Sequence, residues 1–280
     1  MADEQLTTRD GRRLHADVRG SGRPTVVFEA GAGCTRSTWA SVVPPIARRT
    51  RTVAYDRSGL GRSDADRRPR RLARLADDLV DVLRAQDGPS VIVAHSWGGP
   101  VARLAALQAP DLVVGLVLVD TTDEWCDRFF LPEVVRRNRI YTGLLVPLAR
   151  LGLLRRLVSK AAEGLPAEAI AEIRAECGTV DAARAMKAEL AWTTEDLAAL
   201  RDSPPALPDI PVTIITGTKP VKAGAADRTA LLDAHRRRAA SLPQGRHVEA
   251  PGSAHLVMSS EPELVVAEIV RILDQVTPPS

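Results

Sequence analysis

The sequence predicts an α/β fold: a mostly parallel sheet flanked by helices, interrupted once by an inserted helical segment. Three observations predict it. Short β-branched runs alternate with helical patterns along the chain. Most of those runs are apolar at every position, as strands covered on both faces must be. One long stretch, from Thr121 to Pro208, contains no strand pattern at all.

The runs, in order, are Thr25–Phe28, Thr52–Tyr55, Val91–Ala94, Val113–Val119, Val212–Thr216 and His247–Ala250. The polar stretch before them, "MADEQLTTRDGRRLHADV", holds an early strand region around His15. Helical periodicity falls at Trp39–Arg48, Leu72–Gln86, Gly98–Gln108 and Asp227–Ser241, with a last helix after Ser260. Ser260 followed by Glu263 is a capping-box pattern. The strandless stretch is rich in Ala, Leu, Arg and Glu and ends in the breaker cluster "SPPALPDIP". It reads as a helical cap at 121–208, inserted into a core built from 1–120 and 209–280.

Bulk composition narrows the function classes. The chain has 280 residues, 45% hydrophobic and 26% charged, with a net charge of +3, which suits a globular protein and gives no footprint for nucleic acid. The basic run Arg67–Arg74 lacks interleaved aromatics and is followed by Asp77, Asp78 and Asp81, so it reads as solvated loop and helix start. Cys34, Cys126 and Cys177 are odd in number and lack metal-ligand spacing. No cofactor or metal motif is present. Arg12-Arg13 lacks the apolar segment of a secretion signal, and Ile140–Val158 is interrupted by Arg150, Arg155 and Arg156, so no membrane span is expected. The expected location is the cytoplasm. Oligomeric state is left open.

The informative stretch is "VIVAHSWGGPVARLAALQAP", Val91 to Pro110. A serine hydroxyl is a poor nucleophile until a base takes its proton. A sharp turn from strand to helix projects it from the sheet edge and aims the helix N–H groups at the site. Small neighbours permit that turn, and Ser96 has Ala94, Gly98 and Gly99.

This segment resembles the G-x-S-x-G elbow of the α/β-hydrolase family, with Ala94 in place of the first glycine. "VVFEAGAGCTRSTW" resembles the family's oxyanion loop, with Ala30-Gly31 where His-Gly is frequent. "YDRSGLGRSD" is similar to its D-x-x-G-x-G-x-S turn, and "APGSAHLVMSSEPELV" to its histidine loop and final helix. The resemblance covers the chain outside the cap. It implies Ser96 as nucleophile, His255 as general base, and backbone N–H groups of Ala32 and Trp97 as the oxyanion hole. His95 flanks the nucleophile but points away by period, toward a packing or hydrogen-bonding role. Dehalogenases and epoxide hydrolases of this fold carry aspartate at the elbow, so Ser96 sets both branches aside.

The acid departs from the family's usual place. The turn after Val212–Thr216 reads Gly217-Thr218-Lys219-Pro220, and proline cannot orient a histidine. Asp120 ends the preceding strand on the same sheet edge and is the expected acid, with Asp123, Glu124 and Asp227 as fallbacks. Cys34, Trp125, Phe129, Tyr141 and Trp192 are expected to line a largely apolar pocket. The expected reaction is hydrolysis of an ester, lactone or thioester of an apolar small molecule through an acyl-enzyme. C–C bond hydrolysis, acyl transfer or cyclisation, and ligand binding without catalysis remain open.

Overall fold

The apolar runs of the chain become the middle of a sheet. The computed structural model describes residues 2–204, 206–221 and 224–277. In chain order the elements are β1 (Ala2–Thr7), β2 (Arg13–Arg19), β3 (Thr25–Glu29), α1 (Val43–Ala47), β4 (Thr52–Tyr55), α2 (Leu72–Arg84), β5 (Ser90–His95), α3 (Gly98–Gln108) and β6 (Val113–Val119). There follow α4 (Pro132–Arg150), α5 (Leu153–Ala161), α6 (Ala167–Glu176), α7 (Val180–Leu190) and α8 (Thr193–Asp202). The chain closes with β7 (Val212–Gly217), α9 (Ala225–Ser241), β8 (Gly245–Ala250), α10 (Val257–Ser260) and α11 (Pro262–Val276).

The sheet order is β1-β2-β4-β3-β5-β6-β7-β8. β1, β2 and β4 pair antiparallel and every later pairing is parallel. Alternate residues of each central strand feed opposite cores. On β5, Ile92 and Ala94 pack with α2 and α3, whereas Val91 and Val93 pack with α1 and α11. Since β5, β6, β7 and β8 run parallel, their C-terminal ends share one edge.

Local chemistry sets several boundaries differently from the sequence reading. The polar N-terminal stretch forms the β1–β2 hairpin, which lies at the edge of the sheet and needs no apolar run on both faces. The helix expected over Trp39–Arg48 is a 3₁₀ turn at Arg36–Trp39 followed by the short α1. Pro44 and Pro45 lack the N–H that a continuous helix would need there. The Ser260 capping box does not form. Glu261 is the N-cap of α11 with Pro262 at its first position, and Ser260 Oγ bonds Ser253 Oγ and Leu256 O instead.

Among the described residues, 121–208 contains helices and no strand. The change in packing does not fall at Thr121, however. Asp123, Glu124 and Cys126 are buried against α3 and α9, through ion pairs with Arg103 and Arg238 and contacts with Leu231 and Ala234. At the far end, Leu197 and Leu200 of α8 join the core above α2 and α3. Between these, α4–α7 pack mainly through two small clusters of their own. Among the described residues no helix is long and apolar enough to cross a membrane.

Candidate active site

Ser96 follows directly on β5 and adopts φ 53°, the left-handed region that side chains other than glycine's seldom occupy. The turn is tied down from both sides. Ser96 N–H donates to Val119 O at 3.3 Å, and its carbonyl accepts from Gly99 at 3.1 Å and Thr122 at 3.0 Å. A Cβ at Gly98 would stand 2.7 Å from Ala30 O and 2.8 Å from Glu29 O, so the close approach of β3 to α3 requires glycine.

Two further strand ends supply partners. His255, in the loop after β8, places Nε2 3.1 Å from Ser96 Oγ and Nδ1 2.6 Å from Asp120 Oδ2. Asp120 follows β6, is fully buried, and has φ 44°. Its other oxygen accepts from Gly217 N–H at 3.0 Å and from the guanidinium of Arg228 on α9. Burial alone would push this carboxyl up. The hydrogen bond and charge of His255, together with Arg228, outweigh it and hold Asp120 well below the usual carboxylate range. An ionised Asp120 fixes the His255 proton on Nδ1, which leaves Nε2 as acceptor for the Ser96 hydroxyl.

The other carboxylates considered as acids are engaged elsewhere. Asp123 bonds Arg238 and the Trp125 N–H, Glu124 bonds Arg103 and Arg238, and Asp227 bonds Arg128 and Arg137.

The loop after β3 lies against the elbow. A Cβ at Gly31 would meet His95 Nδ1 at 2.9 Å and Ser96 Cβ at 3.1 Å. Neither Ala32 N–H nor Trp97 N–H has a hydrogen-bond acceptor among the described residues. The loop's conformation is held by a buried ionic network. Arg57 donates to Ala30 O and Gly31 O at 2.5 and 2.6 Å, and to Glu29. It also makes two 2.9 Å bonds to Glu189 of α7, which takes the Gly33 N–H at 3.0 Å and Arg70 at 2.7 Å. Burial would raise the Glu189 carboxyl, but Arg57 and Arg70 pull it down to about 2. Burial pushes Glu29 the other way, above the usual range: it outweighs the charge of Arg57 and the Tyr55 hydrogen bond, and the neighbouring Glu189 carboxylate adds to the rise. Sequence reasoning missed this network. Arg57 sits inside the "YDRSGLGRSD" turn, but nothing there signals a partner on α7.

His95 packs under the site. Its ring centroid is 4.6 Å from that of His255, and its Nε2–H donates to His255 O at 3.1 Å. Burial, then the neighbouring His255, push His95 down to about 3, so it is neutral near pH 7.

The five residues expected in the pocket separate into two groups. Cys34 is half-buried in the loop after β3, and Tyr141 of α4 is close to it. Desolvation of the Tyr141 hydroxyl, with Cys34 nearby, raises its pKa. Met186 of α7 presses on Gly33. Trp125, Phe129 and Trp192 are elsewhere. The Trp125 ring lies 4.2 Å from the Arg238 guanidinium and packs on α9, with Phe129 in the same cluster. Trp192 lies 4.7 Å under Arg71, at the start of α2. Guanidinium planes favour such faces, which makes these rings docking surfaces for arginines. Two cavities, of about 270 and 360 Å³, are lined by neither Ser96, Asp120 nor His255. Among the described residues no group of three or more His, Cys, Asp or Glu side chains is arranged to hold a metal ion.

Residues 26–268 match the family model described as "Alpha/beta hydrolase family". The chain belongs to the alpha/beta hydrolase family. It is 33% identical over 139 residues to the uncharacterized protein YqjL of Bacillus subtilis, a match covering 48% of this chain and 55% of YqjL. The chain therefore spans little more than half of that relative's length. It is 28% identical to the 2-(acetamidomethylene)succinate hydrolase of Mesorhizobium japonicum, covering 93% of this chain and 91% of that protein. The solved structure of the epoxide hydrolase CorEH superimposes with a TM-score of 0.76 at 20% identity, covering 99% of both chains, a likeness of fold.

Proposed function

We propose that this hydrolase is a serine hydrolase that cleaves an ester, lactone or thioester of a largely apolar small molecule through an acyl-enzyme. The observation that carries the reading is the unbroken relay Ser96 Oγ–His255–Asp120, at 3.1 and 2.6 Å. Nucleophile and base stand within hydrogen-bond reach, and a third group orients the base, as nucleophilic catalysis requires.

In the proposed sequence Ser96 Oγ attacks the carbonyl carbon while its proton passes to His255 Nε2. The imidazolium that forms is stabilised by Asp120, whose ionised state Arg228 and the Gly217 N–H support. Negative charge on the former carbonyl oxygen is met by the Ala32 N–H in the loop after β3 and the Trp97 N–H at the N-terminus of α3. His255 then protonates the leaving group, which departs. A water molecule, deprotonated by His255, attacks the acyl carbon, and the proton returns to Ser96 as the acid is released. Arg57 and Glu189 position the loop that carries Ala32 without joining the reaction. In this reading the helices within 121–208 act as a cap that sets specificity. Cys34, Met186 and Tyr141 offer apolar or weakly polar surface beside the loop, and Glu189 is committed to arginines, which favours an uncharged acyl group.

The test is a fluorophosphonate probe followed by peptide mapping. Adduct at Ser96, absent in Ser96→Ala, supports the mechanism. An unlabelled wild-type protein that shows no esterase activity points to ligand binding without catalysis.

A further inference from the structure

Among the described residues, nothing covers the outer face of α4 and α5. Ile140, Leu144, Pro147 and Leu151 recur at spacings of four, three and four, so they form one row along α4 and its end. Val134, Leu145 and Ala149 occupy the opposite, buried side. The row stands open: Ile140 is 59% exposed, Leu144 50% and Leu151 73%. Leu153 and Leu157 extend it onto α5. Of the large hydrophobic side chains exposed among the described residues, all but Leu107 belong to this hairpin.

Charge on the same hairpin is one-sided. Residues 132–161 hold seven arginines and lysines and one acid, Glu133. The whole chain is only +3, so the rest of the molecule is net acidic. Arg137 pairs with Asp227. Among the described residues, Arg136, Arg139, Arg150, Arg155, Arg156 and Lys160 have no carboxylate partner. At 100° per residue, Arg137 flanks the α4 row on one side, and Arg139 and Arg150 flank it on the other.

We propose that the α4–α5 hairpin docks on a lipid surface bearing anionic headgroups, with the apolar row entering the acyl boundary and the basic side chains meeting headgroup phosphates. An apolar row bordered by cations is what lies flat in such an interface. A second copy fits poorly, because face-to-face docking would oppose two strongly basic surfaces. A nucleic acid fits poorly as well, since the row offers leucine and isoleucine where bases would need aromatic platforms. The hairpin borders the candidate site through Tyr141 and Cys34, so docking would bring membrane-dissolved molecules to the mouth of the site. Binding itself does not depend on the catalytic reading.

The experiment is sedimentation of the full chain with phosphatidylcholine vesicles, with and without phosphatidylglycerol, at low and high salt. The expected result is at least about tenfold tighter binding to the anionic vesicles, weakening as salt rises. Leu144→Asp combined with Leu151→Asp should reduce vesicle binding about tenfold or more. Arg150→Glu, Arg155→Glu and Arg156→Glu together should reduce it on the order of a hundredfold. Both variants alter exposed positions and should keep the wild-type circular dichroism and turnover of a water-soluble ester. Ser96→Ala should bind vesicles as wild type does, which separates this proposal from the catalytic one. Equal affinity for neutral and anionic vesicles, or no binding to either, overturns it. So does a concentration-dependent dimer that the leucine variant abolishes.

Discussion

Replacing Asp120 by asparagine exchanges one heavy atom and should nearly abolish the proposed turnover. The structure dictates how the amide must sit. Asp120 Oδ1 accepts from both Gly217 N–H and Arg228, two donors that an NH₂ group cannot face. The amide oxygen must therefore occupy the Oδ1 position, which turns the NH₂ toward His255 Nδ1. That nitrogen has then to accept, and the imidazole proton moves to Nε2. Ser96 would face a donor where it needs a base. Loss of the orienting carboxylate in this manner costs about 10⁴-fold in kcat, or about 5.5 kcal/mol of transition-state stabilisation. Stability should fall by less than about 2 kcal/mol, since the Oδ1 contacts persist and Arg228 is partly open to solvent. The assay is p-nitrophenyl ester turnover with a thermal melt on the same sample. A variant retaining kcat within tenfold of wild type would refute the assignment. So would an equal loss in Asp123→Asn, Glu124→Gln or Asp227→Asn.

Other outcomes follow from neighbouring contacts. Glu189→Gln leaves Arg70 without a carboxylate and weakens the hold on the loop after β3. It should cost about 3 kcal/mol, read as a melting temperature lowered by roughly 6–12 °C, and should lower kcat more than it raises KM. Gly98→Ala drives a methyl group against Ala30 O and Glu29 O, and should cost about 1–3 kcal/mol and slow fluorophosphonate labelling. His95 titrates near 3 in the folded state and near 6.5 when unfolded, so its contribution to stability is complete above pH 6.5 and is lost as pH falls. Between about pH 4 and 6 it should add about 1.4 kcal/mol per pH unit to the slope of unfolding free energy. Urea titrations of His95→Gln should show that increment gone, and an unchanged slope would contradict the burial argument.

The central strands could be read from sequence because they are covered on both faces and leave continuous apolar runs. β1 could not, because an edge strand tolerates polar side chains and offers only a weak alternation, and β2 was legible only as a strand region around His15. The Ser96 elbow was legible from its small neighbours, and the position of Asp120 from the strand it ends. Arg228 was not: a lone arginine on a basic helix has no marking that aims it at a carboxylate 108 positions earlier. Arg57 and Glu189 are 132 positions apart, and ionic partners at that separation leave no periodicity. The aromatic residues misled for a related reason. Composition shows that Trp125, Phe129 and Trp192 must be sheltered, but not by which helix, and arginines on α9 and before α2 took two of them.

Ser96 sits at φ 53°, in a conformation that glycine adopts freely and that costs most other residues on the order of 1–2 kcal/mol. A Ser96→Gly variant would relax that strain and melt at a higher temperature while losing the proposed nucleophile. Heat resistance and turnover are thus opposed at this single position. A directed-evolution campaign that scored only survival on heating would be drawn to discard the residue the candidate site is built around, so any screen for a hardier form of this protein has to reward the proposed turnover in the same round.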